Sequence, residues 1–167
     1  MDVFVSRPTK LSSEFEDAYS AFHAQILTEG FKVRRLGSED YSMDAPLKAV
    51  IRLIRESCGA IILGYPQAEI VHRASRGSEF KNNYRCVYPT PWNQIEGAIA
   101  YACESPTLVI AHDDIEGGVF DHGVTGENVI HLNLGKPDWF QEAKFAQPFK
   151  EWSGRVRACA GRRPVHA

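Results

Sequence analysis

The segment GAIILG (residues 59–64) carries no polar side chain at any of its six positions. A strand with one wet face alternates apolar and polar residues, so an unbroken apolar run fits a strand buried on both faces of a parallel sheet. Such a sheet needs helices between its strands, and the flanking sequence supplies them. Upstream, DVFVS (2–6) and FKVRRL (31–36) are strand candidates. They are separated by a helix over about 12–29, in which Phe15, Tyr19, Phe22, Ile26 and Leu27 recur at helical spacing. Ser12 or Ser13 caps its start and Gly30 stops it. A polar loop, GSEDYSMDAP (37–46), ends in a proline suited to the first turn of a second helix over 47–58.

Downstream, TPWNQIEGAIAYA (90–102) has the character of a packed helix, and PTLVIA (106–111) and NVIHLNL (128–134) of strands. The acidic, Gly-rich loop HDDIEGGVFDHGVTGE (112–127) separates the two strands, and a last helix runs around 139–157. Five strands alternating with helices predict an open, mostly parallel sheet wrapped on both faces. The least regular part is 65–89, where Arg73, Arg76, Lys81 and Arg85 interleave with Phe80, Tyr84 and Tyr88. Basic and aromatic residues together suit phosphate and base contacts, and a solvated surface loop fits them equally.

Composition excludes several classes of function. A chain of 167 residues with a net charge of -2 gives no bulk electrostatic reason to bind nucleic acid or an anionic membrane. Four arginines and no acid fall within 155–167, which sets residues 153–167 apart as a basic, solvated tail with polyanion contact as the alternative. The four cysteines are widely spaced without a C-x-x-C pair, and no secretion signal or long apolar run is present. A cytoplasmic location with reduced thiols is therefore expected. His112 and His122 flank DDIEGGVFD without the spacing of a known ligand set, so no metal is expected.

Ligands of open parallel sheets bind beyond the carboxyl ends of the strands. That rule gathers Ser6, Arg7, residues 36–41 with Tyr41, Gly64, Tyr65 and His112 into one candidate crevice. Glu96 stands out in a nearly uncharged helix, since a carboxylate is seldom buried without a partner. It is either a group aimed into the crevice or an ordinary helix carboxylate paired with an arginine. Trp92 is core or pocket lining, and Arg7 binds phosphate or ribose or forms an exposed salt bridge of little weight in stability.

These residues carry a resemblance. DVFVS at the N-terminus resembles the first-strand box of Toll/interleukin receptor (TIR) domains, and WNQIE (92–96) matches the W-x-x-x-E spacing around that family's catalytic glutamate. RRLGSEDYSMDAP lies where the family has its BB loop, and AVIRLIRESCGAIILG is similar to the helix and strand that follow. The likeness covers residues 2–134, with a longer stretch before WNQIE and with Asn93 where the family usually has cysteine. IEGAIAYA also resembles the E-x-G-x-A segment of nucleoside 2-deoxyribosyltransferases, although GAIILGYP lacks the acid expected there.

The TIR resemblance implies a flavodoxin-like α/β fold over 1–152 and an NAD+ glycohydrolase or cyclase. Glu96 would be catalytic, with Ser6, Arg7, Tyr41, Gly64, Tyr65, Trp92, Asn93 and His112 around the substrate. NAD+ would be the substrate, with no separate cofactor. The resemblance further implies self-association through loop 37–46, a role in bacterial antiphage defence and a separate effector protein. An N-glycosidase of the deoxyribosyltransferase type and a non-catalytic interaction module are the alternatives.

Overall fold

The computed structural model describes residues 1–36, 45–72, 84–125 and 129–162. Its centre is a five-stranded sheet of β1 (Asp2–Ser6), β2 (Lys32–Arg34), β3 (Ala60–Gly64), β6 (Thr107–His112) and β7 (Val129–Leu132). All neighbours are parallel, in the order β2-β1-β3-β6-β7. This is the flavodoxin-like arrangement, in which the chain starts inside the sheet, builds one edge, then crosses β1 to build the other.

The unbroken apolar run of β3 has the predicted cause, because all five residues are buried at the middle of the sheet. Alternate side chains divide between two cores. Val3, Val5, Ile61, Leu63, Leu108 and Ile110 face α1 (Ser13–Thr28) and α4 (Ala143–Arg162), meeting Phe22, Ile26, Trp152 and Val156. Phe4, Ala60, Ile62, Val109 and Ala111 face α2 (Pro46–Glu56) and α3 (Pro91–Ala102), meeting Val50, Leu53, Ile54 and Ala100.

Two features depart from the sequence-based expectation. The stretch 65–89 contains an antiparallel pair, β4 (Ala68–His72) and β5 (Tyr84–Tyr88), in register from Ala68 opposite Tyr88 to His72 opposite Tyr84. A Glu69–Arg85 ion pair of 2.9 Å spans the two strands, and Val87 bridges to Ile115 and joins the second core. The basic and aromatic residues at 73–83 lie outside the described residues. The boundary expected at 153 falls inside α4, which continues to Arg162. Val156 is fully buried and approaches the sheet where Gly59 has no side chain: a Cβ there would sit 2.5 Å from Val156 Cγ2. Residues 153–162 therefore belong to the packed fold. Among the described residues, no helix is long and apolar enough to cross a membrane.

Candidate functional site

The start of α3 builds the site. Thr90 caps the helix, its hydroxyl oxygen accepting the backbone N–H of Asn93 at 3.2 Å, and Pro91 fills the first turn, where a backbone donor has no intrahelical partner. Helical spacing then places Asn93, Glu96, Gly97 and Ala100 on one face. Asn93, Gly97 and Ala100 are buried, while Glu96 lies at the margin of that face, partly open. On β1 the two-residue period puts Ser6 on the same side of the sheet as Phe4, toward α3. Asn93 Nδ2 donates to Ser6 Oγ at 2.8 Å.

Arg7, one residue further on, turns to the other face. Its two terminal nitrogens each donate to a carboxylate oxygen of Glu16, both at 2.9 Å, and the guanidinium lies 4.1 Å from the centre of the Tyr19 ring. The Arg7 side chain is 7% exposed and that of Glu16 44%, so the salt bridge weighed from sequence is present and half-buried. Arg35, just past β2, lies among Arg7, Tyr19, Glu16 and Glu96. Burial, then the charge of Arg7, lowers its proton affinity, against the opposing influence of Tyr19, Glu16 and Glu96. A guanidinium tolerates such lowering and stays charged.

Between these groups opens a cavity of about 200 Å³, lined by Arg7 and Thr9 after β1, Arg35 after β2, and Thr90, Trp92 and Glu96 of the α3 start. Burial raises the Glu96 carboxyl above the ordinary carboxylate range, while the Ser6 hydroxyl and the charge of Arg35 pull it back. Trp92 is 44% exposed and stands at the wall of the cavity, not in the core.

The sequence-predicted residues therefore separate into groups. Ser6, Arg7, Trp92, Asn93 and Glu96 come together, with Ser6 and Asn93 buried behind Glu96. Gly64, Tyr65 and His112 do not line the cavity. Gly64 makes room for Phe120, whose ring would lie 2.7 Å from a Cβ at that position. Tyr65 is fully buried in the α1 core, its ring meeting Phe15 edge-on at 5.4 Å, and burial raises the affinity of its hydroxyl for its proton. His112 packs on the same Phe15 at 5.4 Å. Tyr41 and residues 37–44 of the polar loop lie outside the described residues. Sequence reasoning missed Arg35, Glu16 and Thr90. The Thr-Pro pair before an apolar helix was a capping signal that could have found Thr90.

A larger cavity of about 510 Å³ lies elsewhere, between β5 and the loop after β6, with Arg85, Asp113, Asp114, Glu116 and Asp121 in its wall. Among the described residues, no three His, Cys, Asp or Glu side chains converge so as to hold a metal ion. No protein-family model matches the chain, and neither a curated protein nor a solved structure matches it significantly.

Proposed function

We propose that the chain is a TIR-type enzyme that cleaves NAD+ at the nicotinamide–ribose bond, with Glu96 as the catalytic carboxylate. The observation that carries this reading is the isolation of Glu96: among the described residues lining the 200 Å³ cavity it is the one acid, with Arg35 as a neighbouring cation. Breaking an N-glycosidic bond develops positive charge at the anomeric carbon, which a carboxylate stabilises or attacks. Nicotinamide departs from its pyridinium as a neutral molecule and needs no proton, so one acid suffices. A purine or pyrimidine leaving a nucleoside calls for a second acid to protonate or position it, which disfavours the deoxyribosyltransferase alternative.

Pockets for drug-sized ligands span roughly 300–1,000 Å³, so this smaller cavity suits the nicotinamide and ribose end of the dinucleotide. Trp92 offers a flat apolar face to the base. Arg35 supplies positive charge toward the diphosphate. The TIR resemblance extends the proposal to a cytoplasmic antiphage system in which a linear or cyclic ADP-ribose product reaches a separate effector. It also extends to self-association through loop 37–46, for which specific activity should rise more than linearly with enzyme concentration. A flat dilution series would place the complete site in one chain.

The deciding experiment is mass spectrometry of NAD+ incubated with the purified protein. Nicotinamide and an ADP-ribose product are expected, and Glu96→Gln should lower kcat by about 100-fold or more, as for other losses of charge at a transition state. Base release from a nucleoside panel with NAD+ left intact would replace the reading with the N-glycosidase one. Absence of any turnover, with biological activity retained in Glu96→Gln, would replace it with an interaction module.

A further inference from the structure

We propose that Glu16 fills an anion site on Arg7 in the ligand-free chain, and that a phosphoryl group of the ligand displaces it. The identity of the ligand rests on the reading of the Glu96 cavity as a dinucleotide site, while the exchange itself is argued from the Arg7–Glu16 geometry. The guanidinium fork is engaged as a phosphate would engage it: Nη1 and Nη2 each donate to one carboxylate oxygen of Glu16 at 2.9 Å. Paired donors of this kind take a carboxylate or a phosphoryl group alike.

The two partners are unequally held. Arg7 is fixed, because its side chain is 7% exposed, its guanidinium lies 4.1 Å from the Tyr19 ring centre, and Nη1 also donates to the Pro8 carbonyl at 3.3 Å. Glu16 is movable, because it stands in the first turn of α1 with its side chain 44% exposed, and Arg7 is the one hydrogen-bond donor to its carboxylate among the described residues. Rotation about its side-chain bonds carries the carboxylate into water and leaves the fork in place. In an exchange, Glu16 is therefore the group that leaves.

The surroundings favour a phosphoryl group over the carboxylate. Arg7 and Arg35 line the same 200 Å³ cavity, so a second positive charge adjoins the first, and Thr9 adds a hydroxyl to that wall. Arg7 Nε and the Tyr65 hydroxyl are buried without a hydrogen-bond partner among the described residues, and Tyr65 lies close enough to Arg7 and Glu16 for their charges to act on it. Both Glu16 oxygens are already taken by the fork. A diphosphate brings a second negative charge and further acceptor oxygens to the same cations. Since the Arg7–Glu16 pair must open before the ligand binds, removing the carboxylate should tighten binding.

The test is calorimetric titration of wild type and Glu16→Gln with ADP-ribose and with inorganic pyrophosphate. Both dissociation constants should fall by about fivefold in Glu16→Gln, the worth of a half-exposed ion pair. Unchanged or weaker affinity overturns the exchange, because a carboxylate that only holds Arg7 in place would be missed on its removal. Failure of either protein to bind either probe overturns it as well. If Glu16→Gln does not fold, the wild type decides: the carbon-13 carboxyl resonance of Glu16 should move toward its free-peptide position on saturation with ADP-ribose, and an unmoved resonance overturns the exchange. Tighter binding in a protein that leaves NAD+ intact upholds the exchange and removes the cleavage reading alone. Cleavage of NAD+ with affinity indifferent to Glu16 does the reverse. Where NAD+ is cleaved, Glu16→Gln should lower KM by a similar factor, which loss of a merely structural ion pair would not do.

Discussion

At the scale of single residues, Glu96 is held against its own preference. Burial raises its carboxyl above the ordinary range, and Ser6 and Arg35 recover only part of the difference. The folded chain thus binds this proton more tightly than the unfolded chain does. Stability attributable to the group is greatest at low pH, falls as pH rises from the ordinary carboxylate value through the raised folded one, and stays reduced above both. Glu96→Gln removes the charge and keeps the shape of the side chain, so it should melt higher than the wild type at neutral pH. In a chain of this size the gain corresponds to ~2–4 °C for each kcal/mol released. The gain should shrink as pH falls through the folded value toward the ordinary one, which thermal melts by circular dichroism across pH 4–8 would show. A variant that melts lower at neutral pH would mean that the carboxylate is instead a net structural anchor. Loss of turnover together with a higher melting temperature is the signature of a group kept for chemistry.

At the scale of elements, Gly59, just before β3 and beneath α4, is a position of close approach. Gly59→Ala would place a methyl 2.5 Å from Val156 Cγ2 and 3.1 Å from the Pro106 carbonyl oxygen, so α4 or the strand must shift. Overpacking of this kind typically costs about 1–3 kcal/mol. Val156→Ala in the same chain should recover part of the loss, and a double-mutant cycle of melts would measure the coupling. Independent, additive losses would mean that the two side chains do not compete for one space. The helices were legible because each keeps its period long enough to be read, as in α1 with Phe15, Tyr19, Phe22 and Ile26, and the sheet strands because they are short apolar runs set between them. β4 and β5 were not, because the sequence they flank is polar and basic and reads as a loop. For the site, the rule that ligands gather beyond strand ends found Ser6 and Arg7, but a strand end does not state which face its side chains take. Tyr65 and His112 turn to Phe15 and the α1 core, away from Glu96. Arg35 was counted into a strand that ends at Arg34, which concealed it as the first residue past the edge.

At the scale of the whole molecule, the question is where the fold ends. A basic run without acids suggests a solvated tail after residue 152, yet α4 carries the main chain ten residues further. Val156 fills the space opened by Gly59, Ser153 is buried beside Trp152, and Arg157 reaches the end of α1, with its guanidinium 5.1 Å from the Phe31 ring centre and 3.5 Å from a Glu29 carboxylate oxygen. Arg155 and Arg157 are thus carried on the outer side of a helix whose inner side closes the first core. Ending the chain after Trp152 would remove that closure. Burying one valine is worth about 1.5–3 kcal/mol, and losing it also uncovers apolar neighbours, against a total stability of roughly 5–15 kcal/mol for a domain. The shortened chain should therefore melt at least about 5 °C lower than the full one, or lose its cooperative transition and near-ultraviolet signal. The surface arginines provide the control: Arg155→Ala with Arg157→Ala, which keeps Val156, should lower the melting temperature far less than the truncation. Equal melting of the shortened and full chains would put the boundary at residue 152, whereas a large loss confined to the truncation makes the end of α4 part of the scaffold that carries β1, α3 and the Glu96 cavity.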